Sequence, residues 1–292
     1  MALAIPDNRI ATLYRHYANA LMALYDENEA KALARLVFDE LLGISSAYLL
    51  AEPNHLLTES EILTVHFAFK DLLKGKPIQY ITGKAYFRGL VLHVEEGVLI
   101  PRPETEELVG IIIDDFKHKE GAQILDVGTG SGCIPISLAM EIKNAKLYAT
   151  DIMDHALGVA KENAEKYRCN IQFLKNNILE QACWHALPGN IEALVSNPPY
   201  VLESEKRDMH RNVVDFEPPE ALFVTDEDPL IFYRAIARAA QTILIPGGKL
   251  YFEINEKLGK ETAHLLKEAG YNDVMIMNDL RGKQRFIKAI LP

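Results

Sequence analysis

Cysteine is scarce in this sequence: the 292 residues hold three, Cys133, Cys169 and Cys183. An odd number without metal-type spacing offers no disulfide framework and no cysteine zinc site, and it fits a reducing compartment. No HExxH occurs, and the nine histidines are scattered, so they are read as ordinary surface or core residues and no metal is expected. No apolar run approaches the length of a membrane span, and no basic N-terminal region precedes a long apolar stretch. A soluble cytoplasmic protein is the expectation. Positive charge is also short. Lys and Arg number 31 against 41 Asp and Glu, a net charge of −10, which argues against general affinity for nucleic acid while leaving a local basic patch open. Internal repeats and low-complexity segments are absent.

What is present divides in two, as a length of 292 residues suggests on a prior of ~150 per domain. Hydrophobic residues make up 49% of the chain, ample for conventional cores. Ile10, Leu13, Tyr14, Tyr17, Leu21 and Leu24 recur at helical spacing, as do Ala32, Leu36, Val37, Leu41 and Leu42. Gly43 suits the end of the second helix, and Thr58 with Glu61 opens another that runs to Leu73. Residues 1–80 are expected to form a small all-helical domain. Over 81–105, Tyr86-Phe87, Leu90, Leu92 and Val94, then Glu95-Glu96-Gly97 and Val98-Leu99-Ile100, predict a long-loop β-hairpin as linker. Ile100–Glu106 (IPRPETE) leads into a helix over Leu108–Phe116. Prolines flanking Arg102 either build a wall beside a site or form a plain linker capped by Glu104 and Glu106. From 106 to 292, strands and helices alternate as in a mostly parallel sheet whose last two strands, near Asp273–Met277 and Gln284–Ile290, are antiparallel. Leu202–Asp228 is read as a long polar loop, placed to act as a substrate lid.

Ala122–Val127 is an apolar strand signal followed directly by Gly128-Thr129-Gly130-Ser131-Gly132 and a helix-like stretch, Ile134–Ile142. Strand, glycine turn and helix in this order mark nucleotide-type cofactor sites in doubly wound sheets, because glycine lets backbone approach a ligand that a Cβ would exclude. The motif lacks the lysine of a phosphate-cradling loop. Asp126, just before the turn, suits the cationic end of S-adenosylmethionine better than a pyrophosphate, unless it merely caps the turn. Asp151 follows the glycines at the spacing of an acid that binds ribose hydroxyls. Asn177, after the strand Ile171–Lys175, either accepts from an adenine amino group with Ile178 covering the ring, or simply forms a turn.

Asn197-Pro198-Pro199-Tyr200 follows the apolar run Ile191–Val195. The lone pair of a planar NH₂ is delocalised, so such a nitrogen attacks a methyl donor poorly unless something holds it. Asn197 offers a side-chain carbonyl, while Pro198 and Pro199 carry backbone carbonyls without competing N–H donors. Proline also pushes the residue before it toward extended geometry, fixing where these oxygens point. Tyr200 supplies a flat face. The motif contains no general base, and none is needed, because an N-methylated, protonated amide loses its proton readily. Catalysis is expected to be chiefly by positioning. A nucleobase NH₂ presents the same two donors, so an adenine or cytosine amino methyltransferase stays open at this point, as does a non-catalytic module that keeps the cofactor fold.

The sequence resembles the HemK/PrmC-type glutamine methyltransferases that modify peptide chain release factors. The resemblance spans nearly the whole chain and rests on Gly83–Glu107 with LIPRPETEEL, DVGTGSG at 126–132, SNPPYV at 196–201 and FEPPEAL at 216–222. It implies a class I S-adenosylmethionine-dependent methyltransferase: an α/β, Rossmann-like seven-stranded sheet preceded by a helical domain that helps dock the release factor. It further implies that Gly128–Gly132, Asp151, Asn177, Ile178 and Asn197 bind the methyl donor, which leaves as S-adenosylhomocysteine. Phe87 and Arg102 are expected to close the donor side, and Asn197–Tyr200 to hold the glutamine amide of a Gly-Gly-Gln motif. Asn177 departs from the family's usual aspartate, which implies weaker donor binding. A monomer is expected, and a ribosomal-protein glutamine is the alternative protein substrate.

Overall fold

The computed structural model describes Ile5 and residues 7–292, so the expectation of a helical domain from residue 1 lies in part outside the described residues. The chain forms two compact units, one ending at Gly83 and including His210–Phe216, the other made of Lys84–Met209 and Glu217–Pro292. In the first unit, helices α1 (Ile10–Leu21), α2 (Glu27–Leu42), α3 (Ser46–Ala51), α4 (Glu59–Leu72) and α5 (Ile78–Thr82) follow one another. Their apolar stripes meet in one core, where the Tyr17 and Phe69 rings stack at 4.1 Å. Local chemistry sets the ends. Asp26 accepts from the Asn28 and Glu29 amides to open α2, and Gly43 closes it in the left-handed region at φ 69°. Thr58 and Glu61 form the expected capping box before α4.

The second unit begins with a hairpin, β1 (Lys84–Phe87) and β2 (Leu90–His93), followed by α6 (Pro103–Phe116). Then come β3 (Gln123–Val127), α7 (Cys133–Glu141), β4 (Lys146–Asp151), α8 (Asp154–Lys166), β5 (Ile171–Lys175) and β6 (Ile191–Ser196). After β7 (Val201–Leu202) and β8 (Phe223–Val224) come α10 (Ile231–Ile243), β9 (Leu244–Glu253), α11 (Gly259–Glu268), β10 (Asn272–Asn278) and β11 (Gln284–Ile290), while α9 (Arg211–Phe216), which lies between β7 and β8 in sequence, belongs to the first unit. The seven-stranded sheet has the order β10-β11-β9-β6-β3-β4-β5, with β11 antiparallel to both neighbours. Because successive strand residues point to opposite faces, Ile124 joins the core on one side of the sheet and Leu125 the core on the other. Strand order reverses between β3 and β6, the crevice where open α/β sheets bind ligands. Their register pairs Val127 with Ser196, so the glycine turn and Asn197 leave the sheet side by side.

Three expectations need correction. The hairpin turns at Arg88-Gly89, not at Glu95–Gly97: both residues have positive φ (46° and 76°), and Phe87 pairs directly with Leu90. Arginine is rarely left-handed, which hides a two-residue turn from a reading based on glycine and asparagine pairs. Helix α6 begins at Pro103 rather than Leu108, since proline is well suited to the first helical position. Leu202–Asp228 is not a structureless loop. It contains 3-10 turns, α9 and the small parallel pair β7–β8.

Candidate active site

The turn between β3 and α7 is built from left-handed glycines, Gly128 at φ 78°, Gly130 at 54° and Gly132 at 80°. A Cβ added at Gly128 or Gly130 would meet no atom within 4 Å, whereas one at Gly132 would press on Ala160 at 3.1 Å and Ile136 at 3.2 Å. The first two glycines thus leave room along the turn, and the third lets α7 pack on α8. Around this turn, polar atoms are buried without partners: both carboxylate oxygens of Asp126, the Thr129 and Ser131 hydroxyls and Asn176 Oδ1. Such orphans are uncommon in native folds and point to a polar ligand. Burial pushes the Asp126 carboxyl up to about 7, with the nearby Thr129 hydroxyl pulling it down and Asp151 adding to the rise. A cationic ligand beside it would favour ionisation.

Asp151, at the end of β4, braces the same turn. Its Oδ2 accepts from the Gly130 amide at 2.9 Å and its Oδ1 from the Met153 amide at 3.0 Å. Asn163, fully buried on α8, donates to the Ser131 carbonyl and exchanges two hydrogen bonds with the His93 backbone, so it ties the hairpin to the glycine turn. At the end of β5, Asn177 Oδ1 accepts from the Leu179 amide and its Nδ2 donates to Glu180. The buried acceptor without a partner is its neighbour Asn176, and Ile178 is buried beside it. Phe87 is a correction. Expected beside the cofactor, it is 1% exposed in the core that also holds Leu90, Leu92 and Leu108, so its ring packs the hairpin onto α6.

Asn197 follows β6. Its Nδ2 donates to Thr105 Oγ1 at 3.1 Å, and Thr105 in turn donates to Glu253 Oε2 at 2.7 Å. Tyr200 donates its hydroxyl to the other oxygen of Glu253 at 2.9 Å. Burial raises the Tyr200 hydroxyl well above its usual range, and the Glu253 charge adds to this, so it stays a donor. Asn255 Nδ2 holds the Tyr200 carbonyl at 3.1 Å and Glu205 Oε2 at 2.9 Å. Asn197, Pro198 and Tyr200 line a small pocket with Leu99, Arg102 and Leu222, and Pro199 stands outside it. Arg102 therefore faces the pocket of the NPPY turn. Its guanidinium is anchored by the buried Glu217 at 2.6 Å, and the other Glu217 oxygen takes the Ile100 amide at 3.3 Å.

Thr105, Glu217, Glu253 and Asn255 had no role in the reading of the sequence. A signal existed for Glu253: it interrupts the apolar stretch Leu250–Ile254, and a carboxylate inside a buried strand has to find donors. Thr105 and Glu217 lie inside the motifs IPRPETE and FEPPEAL, but their partners lie 148 and 115 residues away, a juxtaposition that only the fold creates.

Two family models match the chain: "PrmC N-terminal domain" over residues 12–83 and "Methyltransferase small domain" over residues 108–222. The release factor glutamine methyltransferase of Bacteroides thetaiotaomicron is 40% identical over 97% of this chain and 99% of its own length. That of Flavobacterium psychrophilum is 40% identical over 93% of this chain and 95% of its own. Among solved structures, a methyltransferase from Pyrococcus furiosus shares the fold at a TM-score of 0.52 and 19% identity, covering 76% of this chain and 96% of that one. The 16S rRNA N2 G1207 methyltransferase of T. thermophilus, solved with AdoMet and guanosine, does so at 0.51 and 18%, covering 72% and 50%. With a glycine turn, an acceptor-rich NPPY motif and a helical leader all in the matched regions, the chain belongs to the release factor glutamine methyltransferases.

Proposed function

We propose that this protein methylates the side-chain amide nitrogen of the glutamine in the Gly-Gly-Gln motif of peptide chain release factors. S-adenosylmethionine supplies the methyl group as an electrophile. Gly128–Gly132, Asp151, the Asn176–Ile178 strand end and Asn197 hold it, with Asp126 as counter-charge to its cationic end. Asn197 Oδ1 and the Pro198 carbonyl accept the two amide hydrogens of the glutamine and aim the nitrogen lone pair. Tyr200 packs on the amide plane, and Arg102, on the pocket side, walls off water with Leu99. The helical residues up to Gly83 help dock the release factor. The observation that carries this reading is the direction of the Asn197 amide: its NH₂ is taken by Thr105, and among the described residues no group donates to its Oδ1.

The test is transfer of labelled methyl to three acceptors offered separately: a release factor, tRNA and duplex DNA. Label is expected on the release factor alone and lost when its glutamine is replaced. Label on either nucleic acid would favour the nucleobase reading, which the net charge of −10 already disfavours.

A pH dependence follows from Asp126. Its folded value of about 7 lies above its ordinary 3.8, so the free protein draws stability from the protonated form below the ordinary value. That contribution is lost as pH rises through about 7. Donor binding has the opposite sign, because a cation prefers the carboxylate. Donor affinity is expected to weaken progressively as pH falls below about 7, with a proton released on binding. Calorimetry in buffers of different ionisation heat measures that proton. Asp126→Asn should bind more weakly and abolish the pH slope; an unchanged slope would remove Asp126 from the site.

A further inference from the structure

We propose that Glu253, acting through Thr105, sets which end of the Asn197 side-chain amide faces the substrate, making Thr105 and Glu253 positioning residues for methyl transfer. The inference rests on the reading of Asn197 Oδ1 as the acceptor for the substrate NH₂. An asparagine amide is nearly symmetric in shape, and rotating it by half a turn exchanges an acceptor for a donor. A donor facing the pocket would repel the substrate NH₂ it is meant to hold. Something must therefore choose the orientation.

The choice is made by two hydrogen bonds in series, Thr105 to Glu253 and Asn197 to Thr105. Glu253 sits at the end of β9, 1% exposed, and as a carboxylate it can only accept. The single proton of the Thr105 hydroxyl is directed to Glu253 Oε2 at 2.7 Å, which leaves only lone pairs toward Asn197. Against those lone pairs only the NH₂ end fits, at 3.1 Å, so Oδ1 turns away from Thr105. The reversed amide would set oxygen against oxygen in a buried place, at a cost of one unsatisfied acceptor. The same carboxylate fixes Tyr200 through its hydroxyl at 2.9 Å, so two members of the NPPY turn share one anchor. Burial drives the Glu253 carboxyl upward and the Glu104 charge adds to this, while the Thr105 and Tyr200 hydroxyls and Arg285 pull in the other direction. Removing both hydroxyl donors would leave the charge with no hydrogen-bond donor.

The experiment compares Thr105→Val, nearly isosteric but unable to donate or accept, with Thr105→Ser, which retains the hydroxyl. Each is measured for single-turnover transfer to a release factor and for donor affinity, in the wild-type background and with Asn197→Ala. Thr105→Val is expected to slow transfer about 30-fold and Thr105→Ser less than about threefold, with donor affinity within about twofold of the parent background in each case. In the Asn197→Ala background the Thr105→Val loss should shrink to under about twofold, because the amide it orients is gone. Should Thr105→Val fail to fold, Glu253→Gln replaces it in the same two backgrounds. Its amide donates to one hydroxyl and so disturbs the series, and its loss should shrink without Asn197 to the part that runs through Tyr200. Equal losses for Val and Ser, a wild-type rate for Thr105→Val, or a loss that persists in full without Asn197 would overturn the proposal. A wild-type rate for Asn197→Ala alone would instead remove the acceptor reading beneath it.

Discussion

Asn197→Ala is expected to lower turnover about 10³-fold while leaving donor affinity within about threefold. The asymmetry follows from where the amide points. Its Nδ2 donates to Thr105 at 3.1 Å, which leaves the oxygen as the proposed functional end, and Asn197 is one of the residues lining the pocket. Truncation leaves Pro198 as the sole acceptor, and a nitrogen held by one bond swings through orientations in which its lone pair misses the electrophile. Asn197→Asp is a sharper variant. It keeps an acceptor toward the pocket but sets a second oxygen against Thr105, whose proton already goes to Glu253. Its turnover should fall nearly as far as that of Ala. Steady-state kinetics with the release factor varied, together with calorimetry of the donor, separates the two quantities. Unchanged turnover in Asn197→Ala would end the positioning mechanism.

Asp151→Ala should show the mirror image: donor affinity about 100-fold weaker, about 2.7 kcal/mol, with turnover at saturating donor reduced less than about fivefold. Two losses combine here. The Gly130 amide, held at 2.9 Å, loses the acceptor that shapes the glycine turn, and the Met153 amide loses its partner at the start of α8. The ribose also loses its proposed acceptor. Asp151→Asn keeps one oxygen but must turn its NH₂ toward an amide donor or the ligand, so a roughly tenfold loss is expected. Calorimetry reads both variants, and equal affinity for Asp151→Ala would remove the ribose role.

Much of this was legible in the sequence because the signals are local. Strand, glycine turn and helix at 122–142 needed no tertiary information, nor did the apolar run before Asn197 or the capping box at Thr58. The seven strands were also foreseeable, since β3–β6 and β9–β11 are each apolar runs closed by turn residues. The misses have a common cause. Arg88 adopts a left-handed backbone because the hairpin pairing demands it, and its side chain and amide are then held by Glu106. Phe87 looks like a cofactor wall by its place near Arg102, but alternation along β1 turns it into the core. Thr105 and Glu253 are silent in isolation, because a threonine and a glutamate 148 residues apart become one hydrogen-bonded unit only after β9 and α6 pack together. Local patterns thus point to the turns proposed to carry the chemistry. What orients the side chains on those turns comes from long-range contacts.

The most direct measurement is a crystal structure with S-adenosylhomocysteine and a Gly-Gly-Gln peptide bound. The expected result is a glutamine amide nitrogen about 2.8–3.2 Å from both Asn197 Oδ1 and the Pro198 carbonyl, with Asn197 Nδ2 still on Thr105. A glutamine whose amide oxygen, rather than its nitrogen, faces Asn197 would contradict it.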